Sequence, residues 1–153
     1  MDKTNNEFKI DWILINELAI GSVPSKPAHI KKLINYGFKG IFSLCNPIEY
    51  KYPEGIEQHL KLFSYELPDH KSLRAPSLEE LNLAINKLRD SKKYGPIYMH
   101  CFAGVERSPL VAMAWMMKEY SMDAQSSLEY VMQQHPGTNP LKEQFNLLQN
   151  INS

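Results

Sequence analysis

The sequence predicts an α/β domain in which a central, mostly parallel sheet is flanked by helices. Short apolar segments typical of buried strands alternate with amphipathic segments of helical length, and turn residues separate them along the chain. The chain has 153 residues, a length typical of one domain and sufficient to bury a core. We therefore assign residues 1–153 to a single domain.

The first half of the chain contains most of the predicted strands. Turn residues mark the boundaries, such as Gly37 after the first helix and Pro68 after the last strand of this half. In order, the elements are two short strands in WILINELAIGSVP around Asn16 and Glu17, a helix in KPAHIKKLINYG, a strand in FKGIFSLC, a loop in NPIEYKYPEG and a strand in KLFSYEL.

The second half is mainly helical. Ser77 and Glu80 have the spacing of a capping box at the start of a long amphipathic helix. In order, the elements are a helix in SLEELNLAINKLRDSKKY, a strand in PIYMHC, a helix in SPLVAMAWMMKEY, and two helices in AQSSLEYVMQQ and PLKEQFNLLQNI that HPGTNP separates.

Composition argues against several classes of protein. The formal net charge is zero, which gives no overall field to attract nucleic acid or a membrane surface. The longest apolar run, LVAMAWMM, is too short to span a bilayer, and MDKTNNEFKI lacks the apolar core of a signal peptide. The two cysteines suit a reducing compartment. We expect a cytoplasmic monomer without a nucleic-acid or membrane partner.

The most informative segment is HCFAGVERS, residues 100–108, which has the spacing H-C-x5-R-S. It joins the predicted strand PIYM to a helix N-terminus, where N–H groups and the helix dipole favour an anion. Consecutive backbone N–H groups can then surround a phosphate. The residues expected to supply them are Phe102, Ala103, Gly104, Val105, Glu106 and Arg107.

The side chains of this segment suit phosphoryl transfer. A helix N-terminus and a neighbouring cation favour the thiolate form of a cysteine, so we expect Cys101 to be the nucleophile. Arg107 offers a planar fork of donors that matches two phosphate oxygens. Ser108 can donate a hydrogen bond to the sulfur, and His100 is expected to order the loop rather than transfer protons. The strand–loop–helix setting favours this reading over a structural cysteine in an ordinary turn.

These residues resemble the signature of the cysteine-dependent protein tyrosine phosphatase superfamily, and within it the small dual-specificity phosphatases. The resemblance rests on H-C-x5-R-S, on Ala103-Gly104 and on Arg107-Ser108-Pro109, and it spans essentially the whole chain. It implies the dual-specificity phosphatase fold, a phosphocysteine intermediate, and catalysis without a metal or cofactor.

The same family places a general acid on a loop upstream of the cysteine, and Asp69 occupies that place. Asp69 follows the predicted strand KLFSYEL, at the sheet edge where α/β proteins bind ligands. The alternative is that it only caps a turn. On the same loop, His70, Lys71 and Arg74 either receive anionic groups that flank the phosphate or are simply solvated. The resemblance also brings Asn139 near the active site.

The resemblance favours a protein substrate. Tyrosine-specific relatives carry an added aromatic recognition loop, and no segment here fits it. A shallow pocket that admits phosphoserine, phosphothreonine and phosphotyrosine is therefore implied. Glu106 either faces the entrance and repels a second phosphate, or points away and holds another loop.

We therefore expect a metal-independent phosphatase of phosphoproteins. One alternative is the same chemistry on a phosphoglucan, a phosphoinositide or an RNA 5′ end. The other is a phosphate-binding module without turnover.

Cys45, the second cysteine, ends the predicted strand FKGIFSLC, and parallel strands would bring that end close to the catalytic loop. SLCNPIEY also resembles the corresponding segment of the tumour-suppressor lipid phosphatase related to tensin, in which a cysteine here pairs with the catalytic one. The resemblance implies a reversible Cys45–Cys101 disulfide under oxidation. The alternative is that Cys45 is a small buried apolar residue.

Overall fold

The computed structural model describes residues 8–69, 71–72, 74–102 and 106–151. In these residues the chain forms a five-stranded sheet with helices on both faces. The strands are β1 (Asp11–Leu14), β2 (Leu18–Gly21), β3 (Gly40–Ser43), β4 (Lys61–Ser64) and β5 (Ile97–His100). The helices are α1 (Pro27–Asn35), α2 (Leu78–Ser91), α3 (Arg107–Tyr120), α4 (Ala124–Gln134) and α5 (Lys142–Leu148).

The strand order is β1-β2-β5-β3-β4. β1 runs antiparallel to β2, and the other neighbouring pairs are parallel. Gly21 of β2 and Ser43 of β3 both lie opposite His100, the last residue of β5. The predicted, mostly parallel α/β fold is confirmed, and the segment that follows His100 leaves the middle of the carboxyl edge of the sheet.

Both faces of the sheet are buried, as parallel sheets require. On β5, Ile97 and Met99 pack in the larger core with α2, α3, α4 and α5, whereas Tyr98 packs in a smaller core with α1. This alternation follows from the two-residue period of a strand. The central strand is therefore fixed from both sides, and so is the start of the loop that carries Cys101.

The element boundaries differ from the sequence prediction in two respects. The predicted strands FKGIFSLC and KLFSYEL end early, at Ser43 and Ser64, and α3 begins at Arg107, inside the motif. The capping box of α2 is as predicted, because Ser77 Oγ accepts from the Glu80 N–H (3.1 Å) and Glu80 Oε1 accepts from the Ser77 N–H (2.9 Å). No helix in the described parts of the chain is long and apolar enough to cross a membrane.

Candidate active site

Cys101 is the first residue after β5, at the centre of the carboxyl edge. Its side chain is buried, and its Sγ lies 3.4 Å from Oγ of Ser108, in the first turn of α3. The main-chain oxygen of Phe102 accepts a hydrogen bond from the Val23 N–H (3.4 Å), which ties the start of the loop to the segment after β2. The structure thus places the predicted nucleophile and the predicted sulfur donor together.

Arg107 is buried, with 3% of its surface exposed, and its guanidinium is held on several sides. Nη1 and Nη2 donate to the two carboxylate oxygens of Glu49, at 3.0 and 2.8 Å. Nη1 also donates to the main-chain oxygens of Leu44 and Leu67, each at 3.4 Å. Burial alone lowers the pKa of Arg107, but the Glu49 hydrogen bonds and the nearby acidic groups of Cys45, Cys101 and Glu49 outweigh it and raise the pKa above its ordinary value. The Arg107 hydrogen bonds in turn lower the pKa of Glu49.

The sequence pattern did not identify Glu49, which lies in the segment predicted only as a loop. It ends a 3₁₀ turn, Pro47–Glu49, that Asn46 caps by accepting a hydrogen bond from the Ile48 N–H (2.9 Å). Glu49 Oε2 accepts from the Asn46 N–H (2.8 Å), so the carboxylate is fixed before it meets Arg107. The sequence does contain one signal for this turn: Asn46-Pro47, a pair that favours the start of a turn, directly follows a predicted strand that ends at the catalytic edge.

Asp69 reaches the site because the chain after β4 continues alongside the end of β3. The N–H groups of Tyr65 and Leu67 donate to the oxygens of Ser43 and Leu44 (2.9 and 3.1 Å). Asp69 Oδ1 then accepts from the Lys71 N–H (3.0 Å), and its Oδ2 lies 3.9 Å from Arg107 Nη2. One oxygen caps a turn and the other lies near Arg107, so the turn cap does not prevent Asp69 from acting as the general acid, and that role stays a prediction.

His100 is fully buried behind Cys101, between the loop and Tyr52. Its Nδ1 lies 3.1 Å from the main-chain oxygen of Cys101, and its Nε2 lies 2.6 Å from Tyr52 Oη. Burial lowers the pKa of His100 to about 4, so the ring is neutral at pH 7. A carbonyl oxygen only accepts, hence Nδ1 carries the proton and Nε2 accepts from the Tyr52 hydroxyl. Both ring nitrogens are therefore engaged, which agrees with the expected role of His100 in ordering the loop.

Glu106 connects the catalytic loop to the start of α5. Its Oε1 accepts from Nε2 of Gln144 (2.9 Å), and Gln144 Oε1 accepts from the Leu141 N–H (2.9 Å). Gln144 is buried and Asn139 is exposed, so the described contact from this region to the loop comes from Gln144, where the resemblance had suggested Asn139. The interaction matches the alternative in which Glu106 holds another segment.

Cys45 is buried at the end of the β3 segment, and both cysteines are free thiols. Its N–H donates to Ser43 Oγ (3.1 Å), and burial raises the pKa of its thiol to about 12. Ser43 lies opposite His100 in the sheet register, so Cys45 and Cys101 follow neighbouring strand ends. This placement at neighbouring strand ends agrees with the expected position of Cys45, and the disulfide hypothesis stays a prediction.

The predicted substrate-recognition residues on the acid loop differ in their surroundings. Arg74 donates to both carboxylate oxygens of Glu80 (2.6 and 2.8 Å), so its charge is paired, whereas Lys71 is exposed. Four predicted positions lie outside the described residues: His70, Ala103, Gly104 and Val105. Within the described ranges, no three His, Cys, Asp or Glu side chains are grouped so that they could hold a metal ion.

A buried thiol, a buried guanidinium and a neighbouring carboxyl group at a helix N-terminus are the components of cysteine-dependent phosphoryl transfer. The family model described as "Dual specificity phosphatase, catalytic domain" matches residues 20–152. The chain belongs to this family. It is a cysteine phosphatase of the dual-specificity family, as the motif predicts.

The chain is 28% identical over 155 aligned residues to the phosphatidylglycerophosphate phosphatase PTPMT2 of Arabidopsis thaliana, covering 96% of this chain and 67% of the relative. It covers only 40% of the phosphatidylglycerophosphate phosphatase PTPMT1 of the same organism, at 24% identity.

Two solved structures superpose closely on this chain. Tk-PTP in its active form has a TM-score of 0.78 and 21% identity, covering 93% of this chain and 95% of that one. PTPMT1 in complex with PI(5)P has a TM-score of 0.78 and 14% identity, covering 93% of both chains. At these identities, the two structures establish the fold of the dual-specificity phosphatases alone.

Proposed function

We propose that this phosphatase removes a phosphate monoester from a phospholipid headgroup, without a metal ion, through a phosphocysteine at Cys101. The similarity to a phosphatidylglycerophosphate phosphatase along 96% of the chain carries the proposal. The sequence alone favoured phosphoproteins, and the comparisons favour the alternative of a non-protein phosphate. A lipid substrate also requires contact with a membrane or micelle, which the zero net charge gave no reason to expect.

In the proposed mechanism, the Cys101 thiolate attacks phosphorus in line with the leaving oxygen. Arg107 stabilises the equatorial oxygens. The hydrogen bonds of Arg107 in the described part of the chain use its Nη1 and one donor of Nη2, so Nε and the second Nη2 donor can meet two phosphate oxygens. Protonated Asp69 donates its proton to the leaving alcohol.

The second step hydrolyses the phosphocysteine and regenerates the free enzyme. Water attacks the phosphocysteine, and ionised Asp69 accepts the proton that the water loses. The sulfur departs as a thiolate, which the Ser108 hydroxyl can stabilise because the two atoms already lie 3.4 Å apart. Inorganic phosphate leaves, and the next substrate meets Cys101 as a thiolate.

Exposed apolar side chains around the catalytic loop also support a lipid substrate. Ile48 is 92% exposed and precedes the Glu49 that binds Arg107, Phe102 is 56% exposed and follows Cys101, and Leu141 is 40% exposed at the start of α5. Each belongs to a segment that forms or contacts the loop. Apolar side chains around an anion site suit a ligand with a phosphate and acyl chains.

The test compares kcat/KM for phosphatidylglycerophosphate and phosphatidylinositol monophosphates in vesicles with that for phosphotyrosine and phosphoserine peptides. We expect the lipids to be preferred, and Ile48→Ser to lower activity on vesicles about tenfold with no change on a soluble aryl phosphate. Ile15→Ser is the matched control, because Ile15 is 76% exposed at the opposite edge of the sheet. A preference for phosphopeptides would show that the protein is a protein phosphatase instead.

A further inference from the structure

A cavity of about 300 Å³ lies beside the catalytic loop, between the acid loop and the start of α5. Its described walls include Asp69, Ser72 and Arg74 on one side and Glu106, Glu143 and Gln144 on the other. The cavity therefore contains the proposed general acid as part of its wall.

The position of Asp69 determines what occupies this cavity. In-line displacement by Cys101 requires the leaving oxygen to lie on the side of phosphorus away from the sulfur. A general acid must approach the oxygen that it protonates to hydrogen-bond distance. The alcohol that departs therefore lies against Asp69, and the cavity is the space available to the rest of that alcohol.

The described walls of the cavity carry more carboxyl groups than cationic groups. Glu106, directly before α3, and Glu143, in the first turn of α5, contribute carboxylates, and Gln144 beside Glu143 binds Glu106. Arg74, the cation in the described wall, is bound through two hydrogen bonds to Glu80, so its charge is already balanced. A second phosphate monoester on the leaving alcohol, with a charge of about −1.5 to −2 at neutral pH, would be repelled here more strongly than the singly charged phosphodiester of a phospholipid headgroup.

The same walls suit hydroxyl groups. Carboxylates accept hydrogen bonds, while the Ser72 hydroxyl and the Gln144 amide both donate and accept. The Glu106 carboxylate is held in position by Gln144, which is itself buried. A fixed acceptor distinguishes hydroxyl-bearing groups from groups that cannot donate.

We propose that this cavity is a leaving-group subsite for a polyol that carries no second phosphate monoester, and that Glu106 is its main specificity determinant. The inference rests on the proposed phosphatase mechanism and refines the proposed lipid function. It selects headgroups with one phosphate monoester on a glycerol or inositol unit over headgroups that carry two. The two alternative roles of Glu106, holding α5 and excluding a second phosphate, are then performed by one carboxylate.

The experiment uses two soluble probes of similar size and similar leaving-group acidity, meta-(hydroxymethyl)phenyl phosphate and meta-carboxyphenyl phosphate. We expect the wild-type enzyme at low ionic strength to prefer the neutral probe about tenfold in kcat/KM, and added salt to reduce the preference. Glu106→Gln should reduce it several-fold, and Glu143→Gln, on the exposed side, should reduce it less. Glu129→Gln on α4 is the control and should leave the ratio unchanged.

Equal use of the two probes by the wild-type enzyme at low ionic strength overturns the proposal. So does an unchanged ratio in an active Glu106→Gln enzyme. If that variant is inactive, an unchanged ratio in Glu143→Gln overturns it. Because neither probe contains a lipid, failure of the lipid assays would contradict the proposed function and leave this ratio interpretable. With lipid activity established, the same variants should raise use of phosphatidylinositol bisphosphate relative to the monophosphate.

Discussion

Arg107 is the residue whose surroundings most constrain catalysis. It is buried, and Glu49 balances its charge through two hydrogen bonds. A buried guanidinium without a partner is costly, and a loosened one no longer presents its donors in a fixed geometry. Glu49 thus positions Arg107 before any phosphate arrives, although it does not itself touch the phosphate in the proposed mechanism.

We expect Glu49→Gln to lower kcat/KM about tenfold, mainly by raising KM, and to lower the free energy of unfolding by about 1–2 kcal/mol. The amide keeps one acceptor but loses the charge. Steady-state kinetics and denaturant unfolding measure the two effects. Glu57→Gln, in the neighbouring 3₁₀ turn Ile56–Gln58, is the control, and equal kinetics for the two variants would exclude the positioning role.

The roles proposed for Asp69 and Cys101 can be tested separately. Cys101→Ser should abolish turnover while inorganic phosphate still binds, because a hydroxyl fills the loop without supplying the anion. Asp69→Asn should lower turnover by about 10²–10⁴, the usual contribution of a positioned acid, and least for substrates with good leaving groups. Equal losses on nitrophenyl phosphate and on a phosphate ester of a simple alcohol would count against Asp69 as the acid.

The sequence predicts those site residues that a short motif or a neighbouring strand identifies. Cys101, Arg107 and Ser108 lie within eight consecutive residues at the start of α3, and Asp69 follows a recognisable strand. Glu49 and Gln144 contact this loop from 58 and 38 residues away in the sequence. Such contacts depend on which strand and helix ends meet at the carboxyl edge, and a short motif does not contain that information.

The ends of β3 and β4 show that long-range contacts also limit the prediction of whole elements. The segments after β3 and β4 continue to pair through Tyr65 and Leu67, although the regular strands have ended. Their carbonyl oxygens at Leu44 and Leu67 also accept from Arg107. An apolar sequence predicts that a strand continues, but it does not predict that the strand becomes irregular where its oxygens turn to a buried cation.

These neighbouring strand ends also bring Cys45 close to Cys101 in the register of the sheet. In the predicted reaction, peroxide oxidises the Cys101 thiolate to a sulfenic acid, and the Cys45 thiolate then attacks that sulfur, forming a disulfide and expelling hydroxide. Reduction by an added thiol restores both thiols. Burial raises the pKa of Cys45 to about 12, so few molecules carry its thiolate at neutral pH.

We therefore expect disulfide formation after peroxide treatment to accelerate about tenfold per unit of pH between neutral and mildly alkaline conditions. Mass spectrometry of the crosslinked peptide measures the rate. Wild type should recover activity with a thiol reductant, whereas Cys45→Ser should lose it irreversibly. If both proteins recover alike and no crosslinked peptide forms, Cys45 is only part of the core.

At the scale of the molecule, alternating strand and helix patterns are sufficient to predict a mostly parallel sheet between helices. They do not give the strand order β1-β2-β5-β3-β4, which places β5 in the centre. That order has an energetic consequence, because the last residue of the central strand, His100, is buried beneath the catalytic loop. Burial lowers the pKa of His100 to about 4 from an ordinary value near 6.5.

The depressed pKa of His100 makes the stability of the whole domain depend on pH. Above pH 6.5, His100 is neutral in both the folded and the unfolded chain and adds no pH dependence. As the pH falls from 6.5 towards 4, the unfolded chain binds a proton that the folded chain excludes, so stability is lost. We expect a loss of about 3 kcal/mol over this window, with the ordinary carboxylate effects adding below it.

Denaturant unfolding at a series of pH values measures this loss of stability. His100→Asn, whose amide can also bridge Tyr52 and the Cys101 carbonyl, should remove this slope, whereas His59→Asn, at an exposed position, should retain it. Parallel pH profiles for wild type and His100→Asn would show that burial of His100 does not set the acid stability of the fold.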